Sequence, residues 1–130
     1  MANSRLQIIF IFVVMTILTL GSCYYDEVIP VSEEEITSEI SFSTDIVAIF
    51  NKDCNTSGCH NNGGQKPDLS SAQAYLSLTN GNYLDADKPE ESVLYQWMKG
   101  NRSTPMPVSG SVTEYNAKVL AWIKQGVQNN

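Results

Sequence analysis

Residues 54–60 read Cys54-Asn55-Thr56-Ser57-Gly58-Cys59-His60, and the only histidine of the chain stands directly behind the second cysteine. Two thiols and an imidazole this close in sequence have three chemical uses. They can close a small disulfide loop, contribute to a metal site, or attach a group through both sulfurs while the imidazole ligates it. The choice decides the fold. The folded segment around the motif is only about 90 residues long, and a domain of that size usually completes its core with a staple or a cofactor.

A cysteine pair whose second member is followed at once by histidine is the local signature of covalent haem attachment. The order has a chemical reason: both thiols add across the vinyl groups as thioethers, and the adjacent imidazole then lies beneath the iron. The usual gap between the cysteines is two residues, and here it is four. The added length must bulge outward, which the turn-forming Asn55-Thr56-Ser57 and the neighbouring Gly58 allow. Cys59 and His60 stay adjacent, which is what ligation of the iron depends on. Structural zinc fits less well, since it normally takes four protein ligands and adjacent Cys and His are awkward for one ion.

The N-terminus points to the same compartment. Arg5 precedes Ile8 to Leu20, an uncharged apolar run of 13 residues. That is the length of a signal-peptide core and short of the roughly 20 residues that span a bilayer. It leads into Leu20-Gly21-Ser22-Cys23, which resembles a bacterial lipobox. Residues 1–22 are therefore expected to be a lipoprotein signal peptide, with Cys23 carrying lipid. Of three cysteines, this leaves Cys54 and Cys59 as a pair.

Removal of residues 1–22 takes away Arg5 and no acid, so 7 basic residues face 14 acidic ones and the mature charge is −7. Such a balance argues against nucleic acid and a polybasic membrane patch, and favours partners with a basic docking face. Residues 23–41 carry Asp26, Glu27, Glu33-Glu34-Glu35 and Glu39 with few core-forming positions, and read as an acidic tether.

The rest, 42–130, reads as all-α. Ser43 or Thr44 can cap a helix through Phe50 that presents Ile46, Ile49 and Phe50. Ser70-Ser71 can cap a short helix bearing Ala72, Tyr75 and Leu76. Pro89 can open a third helix to Met98, with Glu90 and Glu91 in its first turn and Val93, Leu94, Trp97 and Met98 as one stripe ended by Gly100. Ser111 or Thr113 can cap the last helix, with Tyr115, Val119, Leu120, Trp122 and Ile123 at helical spacing and Gly126 as its stop. No run alternates like a strand for more than a few residues.

A haem ligated by His60 needs a second ligand for electron transfer, and the mature chain offers Met98 and Met106. Met98 belongs to a helical stripe and reads as core. Met106 lies in Thr104-Pro105-Met106-Pro107, where the prolines forbid helix. A thioether there is a soft donor that raises the reduction potential. Tyr75, Trp97 and Trp122 read as core, though the indole N–H of Trp97 or Trp122 can reach a propionate.

In this order of elements, residues 42–127 resemble a small class I c-type cytochrome in its lipoprotein-borne form. The matching parts are a helix running into Cys54…Cys59-His60, the segment Pro67-Asp68-Leu69, a helix opened by Pro89-Glu90-Glu91-Ser92, Met106-Pro107, and a final helix with Trp122-Ile123 and Gly126. The resemblance implies about four helices around one covalent haem c, with the first and last helices crossing. It implies Cys54 and Cys59 as attachment residues and His60 and Met106 as axial ligands. Pro67 would offer its carbonyl to the ring of His60, although the loop Asn61 to Lys66 is shorter than usual in the family. The expected role is a monohaem electron carrier, not an enzyme, anchored by lipid in the periplasm or at the cell surface of a bacterial outer membrane. It would exchange electrons with redox proteins and bind no small-molecule substrate at iron. A haem sensor or small peroxidase with a labile sixth position, Arg102 being close in chain to Met106, is a second reading. A third is a lipid-anchored binding module without haem, with a Cys54–Cys59 disulfide.

Overall fold

Why the domain starts where it does is explained by Phe42. Its ring is buried, 5.1 Å from the ring of Trp122 and edge-on to Tyr75 at 5.3 Å. That burial draws Phe42 into the first helix and makes Ser41 the cap: Ser41 Oγ accepts from the Thr44 amide, and the Ser41 amide donates to Asp45 Oδ2 at 3.0 Å. The cap therefore lies two or three residues earlier than the Ser43 or Thr44 that the sequence suggested.

The protein is represented by a computed structural model, which describes residue 7 and residues 36–130. The expected signal segment, the lipidation candidate Cys23 and the tether as far as Glu35 otherwise lie outside the described residues. Among the described residues four helices and no strand are formed. None of these helices is long and apolar enough to cross a membrane.

The first helix, α1, runs without a break through Phe42–Ile46, Val47–Ile49 and Phe50–Cys54, and delivers Cys54 at its C-terminus. Its first and last turns are wound as π-helix, with bonds such as Asn55 N–H to Phe50 O at 2.8 Å. Single π turns of this kind concentrate at functional sites. Helix α2 is Ala74–Asn80. It starts later than Ser70-Ser71 allow, because Ser70 serves Asp68 instead: Asp68 Oδ1 accepts from the Ser70 amide at 3.0 Å and from its hydroxyl at 2.6 Å. The buried positions are accordingly Ala74 and Leu78, while Ala72 and Leu76 face solvent.

The expected helix from Pro89 to Met98 is two pieces. Pro89–Glu91 form one 3-10 turn, and helix α3 is Val93–Met98. Ser92 breaks the run. It is fully buried, and its hydroxyl both accepts from the Asp85 amide at 2.9 Å and donates to the Asp85 carbonyl at 3.2 Å, which holds its backbone extended. Helix α4 is Thr113–Lys124. Neither Ser111 nor Thr113 caps it through a side chain; the Ser111 hydroxyl instead accepts from Asn116 Nδ2 at 2.7 Å. Its end is as the sequence indicates. Gly126 has φ +90°, its amide donates to Ile123 O, and the Val127 amide donates to Trp122 O. This paired closure needs a left-handed residue at the glycine.

One core joins these helices, with Ile46, Phe50, Leu78, Val119, Trp122 and Ile123 fully buried. The first turn of α1 packs on α4, and α3 packs on α4. Residues 36–41, read from the sequence as the end of the tether, are fastened to this core. Ile40 is buried, its amide donates to Gln125 Oε1 at 2.8 Å, and Gln125 Nε2 donates to Ser38 O.

Leu76 and Leu78 provide a direct test of which face of α2 is buried. Leu78→Ala is expected to cost about 2–5 kcal/mol in equilibrium urea unfolding, as a buried truncation does. Leu76→Ala should stay within about 0.5 kcal/mol, as an exposed change does.

Candidate functional site

The end of α1 and two irregular segments, Asn55 to Leu69 and Lys99 to Val112, enclose a cavity of about 330 Å³. That lies within the roughly 300–1,000 Å³ range of sites that hold cofactors and small ligands. Cys54, Cys59, His60, Pro67 and Met106 all line it, so the structure brings together every site residue read from the sequence within the described region. The wall around them is largely apolar, with Phe50, Leu69, Leu94, Trp97 and Met98 among its members. Both methionines considered as ligands face the same space. Met98 is almost fully buried on α3, while Met106 sits half-buried on the loop.

The longer gap in the cysteine motif takes a specific form. Thr56 to Cys59 make a turn closed by the Cys59 amide on Thr56 O at 2.9 Å, with Gly58 at φ +82°. Thr56, Ser57 and Gly58 are exposed, so the extra length points away from the cavity. Below the turn, the His60 amide donates to Cys54 O at 3.1 Å. The gap is absorbed outside the frame that sets the two sulfurs and the ring.

His60 is then fixed from the other side. Its Nδ1 lies 3.0 Å from the Pro67 carbonyl oxygen. A carbonyl only accepts, so Nδ1 carries the proton and Nε2 keeps its lone pair for a metal. The segment between them closes back on the motif. Gln65 N–H donates to Cys59 O, Gly64 N–H to Asn61 O, and Leu69 N–H to His60 O at 2.7 Å. Gly64 is required by this close approach: a Cβ there would strike Cys59 O and the Asn61 side chain. The short loop from Asn61 to Lys66 thus reaches far enough to place Pro67.

Met106 is held by its own amide, which donates to Trp97 O at 3.1 Å. That carbonyl belongs to the last turn of α3, where Gly100, at φ +82°, also donates to Trp97 O. The two tryptophans separate. Trp97 lines the cavity, and its indole N–H has no partner among the described residues. Trp122 lies outside it and donates Nε1–H to Gln128 O at 2.8 Å, which removes it as a partner for a group in the cavity. Tyr75 is likewise structural, donating to Val127 O at 3.0 Å.

Asp53, like Gln65, Tyr83 and Val108, is a wall residue that sequence reading missed. Its carboxylate accepts from Tyr115 Oη at 2.6 Å, and Lys52 Nζ lies over the Tyr115 ring at 5.6 Å. The available signal was thin: an acid beside Cys54, and a tyrosine at the start of the apolar stripe of α4. Among the described residues no three His, Cys, Asp or Glu side chains converge as a single-ion site. Cys54 and Cys59 are not bonded to each other. A donor set of one oriented imidazole, two thiols and thioethers in an apolar cavity suits an iron porphyrin attached through sulfur.

No family model, no curated protein and no solved structure matches the chain.

Burial, and after it the nearby Asp53 carboxylate and Cys59, push the Cys54 thiol up from its ordinary 9.0 to about 11. The folded chain therefore holds this proton more tightly than the unfolded chain. The associated stability is complete below pH 9.0 and is lost as the pH rises through about 11. In cofactor-free, reduced protein at pH 8, iodoacetamide should alkylate half-buried Cys59 well before Cys54. Labelling of Cys54 should accelerate only as the pH approaches 11.

Proposed function

We propose that the chain binds one haem c covalently through Cys54 and Cys59, with His60 and Met106 as axial ligands, and serves as a one-electron carrier. The fold would then be a small cytochrome c-like arrangement of the four helices around that group. The observation that carries this reading is the His60 Nδ1–H bond to Pro67 O, inside an apolar cavity shared with both thiols and Met106. With Nδ1–H committed to the Pro67 carbonyl, Nε2 is the ring nitrogen left able to take a metal. When bound, haem supplies reversible one-electron exchange between ferrous and ferric iron.

The chain's own residues do the rest. Cys54 and Cys59 would hold the group through their sulfurs, and the Pro67 carbonyl sets the tautomer and orientation of His60. Phe50, Leu94 and Met98 exclude water, which favours the less charged, reduced state. Met106 contributes a soft donor that raises the potential further. Trp97, whose indole N–H has no partner among the described residues, would offer a donor to a carboxylate at the cavity. No step requires a substrate at iron, so the reading is a carrier and not an enzyme. Partners are redox proteins, with a basic docking face suited to a chain of net negative charge. Export and lipidation at Cys23 would hold the domain at the periplasmic side or surface of a bacterial outer membrane.

The test is expression in a bacterial host that matures c-type cytochromes. Haem-dependent peroxidase stain should appear at the mature mass in a denaturing gel and vanish in the Cys54→Ala/Cys59→Ala variant. Absence of stain in a competent host would overturn the proposal. In loaded protein, Met106→Ala should lower the midpoint potential and remove the weak long-wavelength sulfur-to-iron band, whereas Met98→Leu should retain the band. The reduced wild type should not bind carbon monoxide at neutral pH.

A further inference from the structure

The chain contains two Asn-Gly pairs, Asn62-Gly63 and Asn80-Gly81, and the fold treats them in opposite ways. An asparagine before glycine can react with its own backbone, because a glycine lacks the Cβ that obstructs approach of its nitrogen to the side-chain carbonyl. Whether it does so in a folded protein depends on that nitrogen. A peptide N–H already held in a hydrogen bond within an ordered helix end must be released first.

Asn80 closes α2, and the Gly81 amide is committed there. It donates to Ser77 O at 3.2 Å, at the helix C-cap, with the Tyr83 ring packed directly over Gly81. Asn62 and Gly63 sit instead at the two central positions of the turn that the Gly64 amide closes on Asn61 O at 2.8 Å. Asn62 is exposed, and the Gly63 N–H has no acceptor among the described residues. Gly63 stands at φ +78°, with no atom within 4 Å of where a Cβ would be.

We infer that Asn62 is a site of spontaneous deamidation in the native protein, while Asn80 is protected by the C-terminus of α2. The Gly63 nitrogen loses its proton to solvent base and attacks Cγ of Asn62. A C–N bond forms, the Cγ–Nδ2 bond breaks, and ammonia leaves. Water then opens the resulting succinimide at either carbonyl, to aspartate or isoaspartate. Amide and water have become carboxylate and ammonium, with no oxidant and no change in electron count. The product lies in the loop between His60 and Pro67. It adds a negative charge to a segment, Asn55 to Pro67, that contains no acid. The isoaspartate form also lengthens the backbone of the loop that holds the Pro67 carbonyl against His60. Thus the most reactive Asn-Gly pair of the domain lies on the segment that positions the proposed ligand.

The test follows the purified mature protein at 37 °C and mildly alkaline pH, natively and in urea, by peptide mapping with fragment-ion localisation and isoaspartate detection. Natively, Asn80 should remain unmodified over the interval in which half of Asn62 reacts, and Asn62→Gln should abolish the native-state product. In urea the two sites should react at similar rates, which assigns the difference to the fold. Equal reaction at both sites in the native protein, or no reaction at Asn62, would overturn the inference. The outcome is independent of the haem reading, because haem content is scored separately by stain on the same sample.

Discussion

The contact between Phe42 and Trp122 is the constraint around which the domain is arranged. It joins the first turn of α1 to the last turns of α4, with Tyr75 from α2 set edge-on against the same ring. Everything that faces the cavity hangs from this junction. With its N-terminal turn fixed, α1 has only one place to end, and Cys54 is delivered at the cavity wall. With α4 fixed, α3 is held against it, and the carbonyl of Trp97 is in position to catch the amide of Met106. Two irregular loops can then line an apolar cavity without losing their shape, because each is tied to a helix end by backbone hydrogen bonds.

Much of this is legible in the sequence, and the parts that are not come from contacts across the fold. Helical periodicity found α1, α3 and α4 and the glycine that ends α4, because burial of an apolar stripe and a left-handed terminus leave local marks. Burial of Phe42 moves the start of α1 to Ser41, and the other helix starts shift where a hydroxyl has a competing partner. Ser70 was claimed by Asp68, Ser92 by the backbone of Asp85, and Ser111 by Asn116. Each is a contact that no periodicity reveals, so rules of capping applied to the local sequence alone do not foresee where these helices begin. On α2 the misplaced cap also rotated the expected face, exchanging Leu76 for Leu78.

The site divides in the same way. Cys54, Cys59, His60, Pro67 and Met106 could be named as neighbours of one cavity because the proposed chemistry depends on order along the chain, and order is what a sequence records. Asp53 with Tyr115, and the loss of Trp122 to Gln128 O, depend on which side chains meet across the fold. The short loop after His60 illustrates both. It is shorter than the resemblance implies, yet Gly64 folds it against Cys59 closely enough for the bond from His60 to Pro67 to form.

The cap of α1 carries a consequence of its own. Besides Ser41, the helix start is closed by Asn130, which accepts the Phe42 amide at 2.8 Å and the Ser43 amide at 2.9 Å across nearly the whole domain. Pairings this distant in sequence must close the largest loops of chain entropy before they return any stabilisation, and they form slowly. The first turn of the helix that ends in Cys54 therefore receives these two bonds only once the far end of the domain is in place. Burial of Cys54 at one end of this helix is thereby tied to the docking of Asn130 against the other.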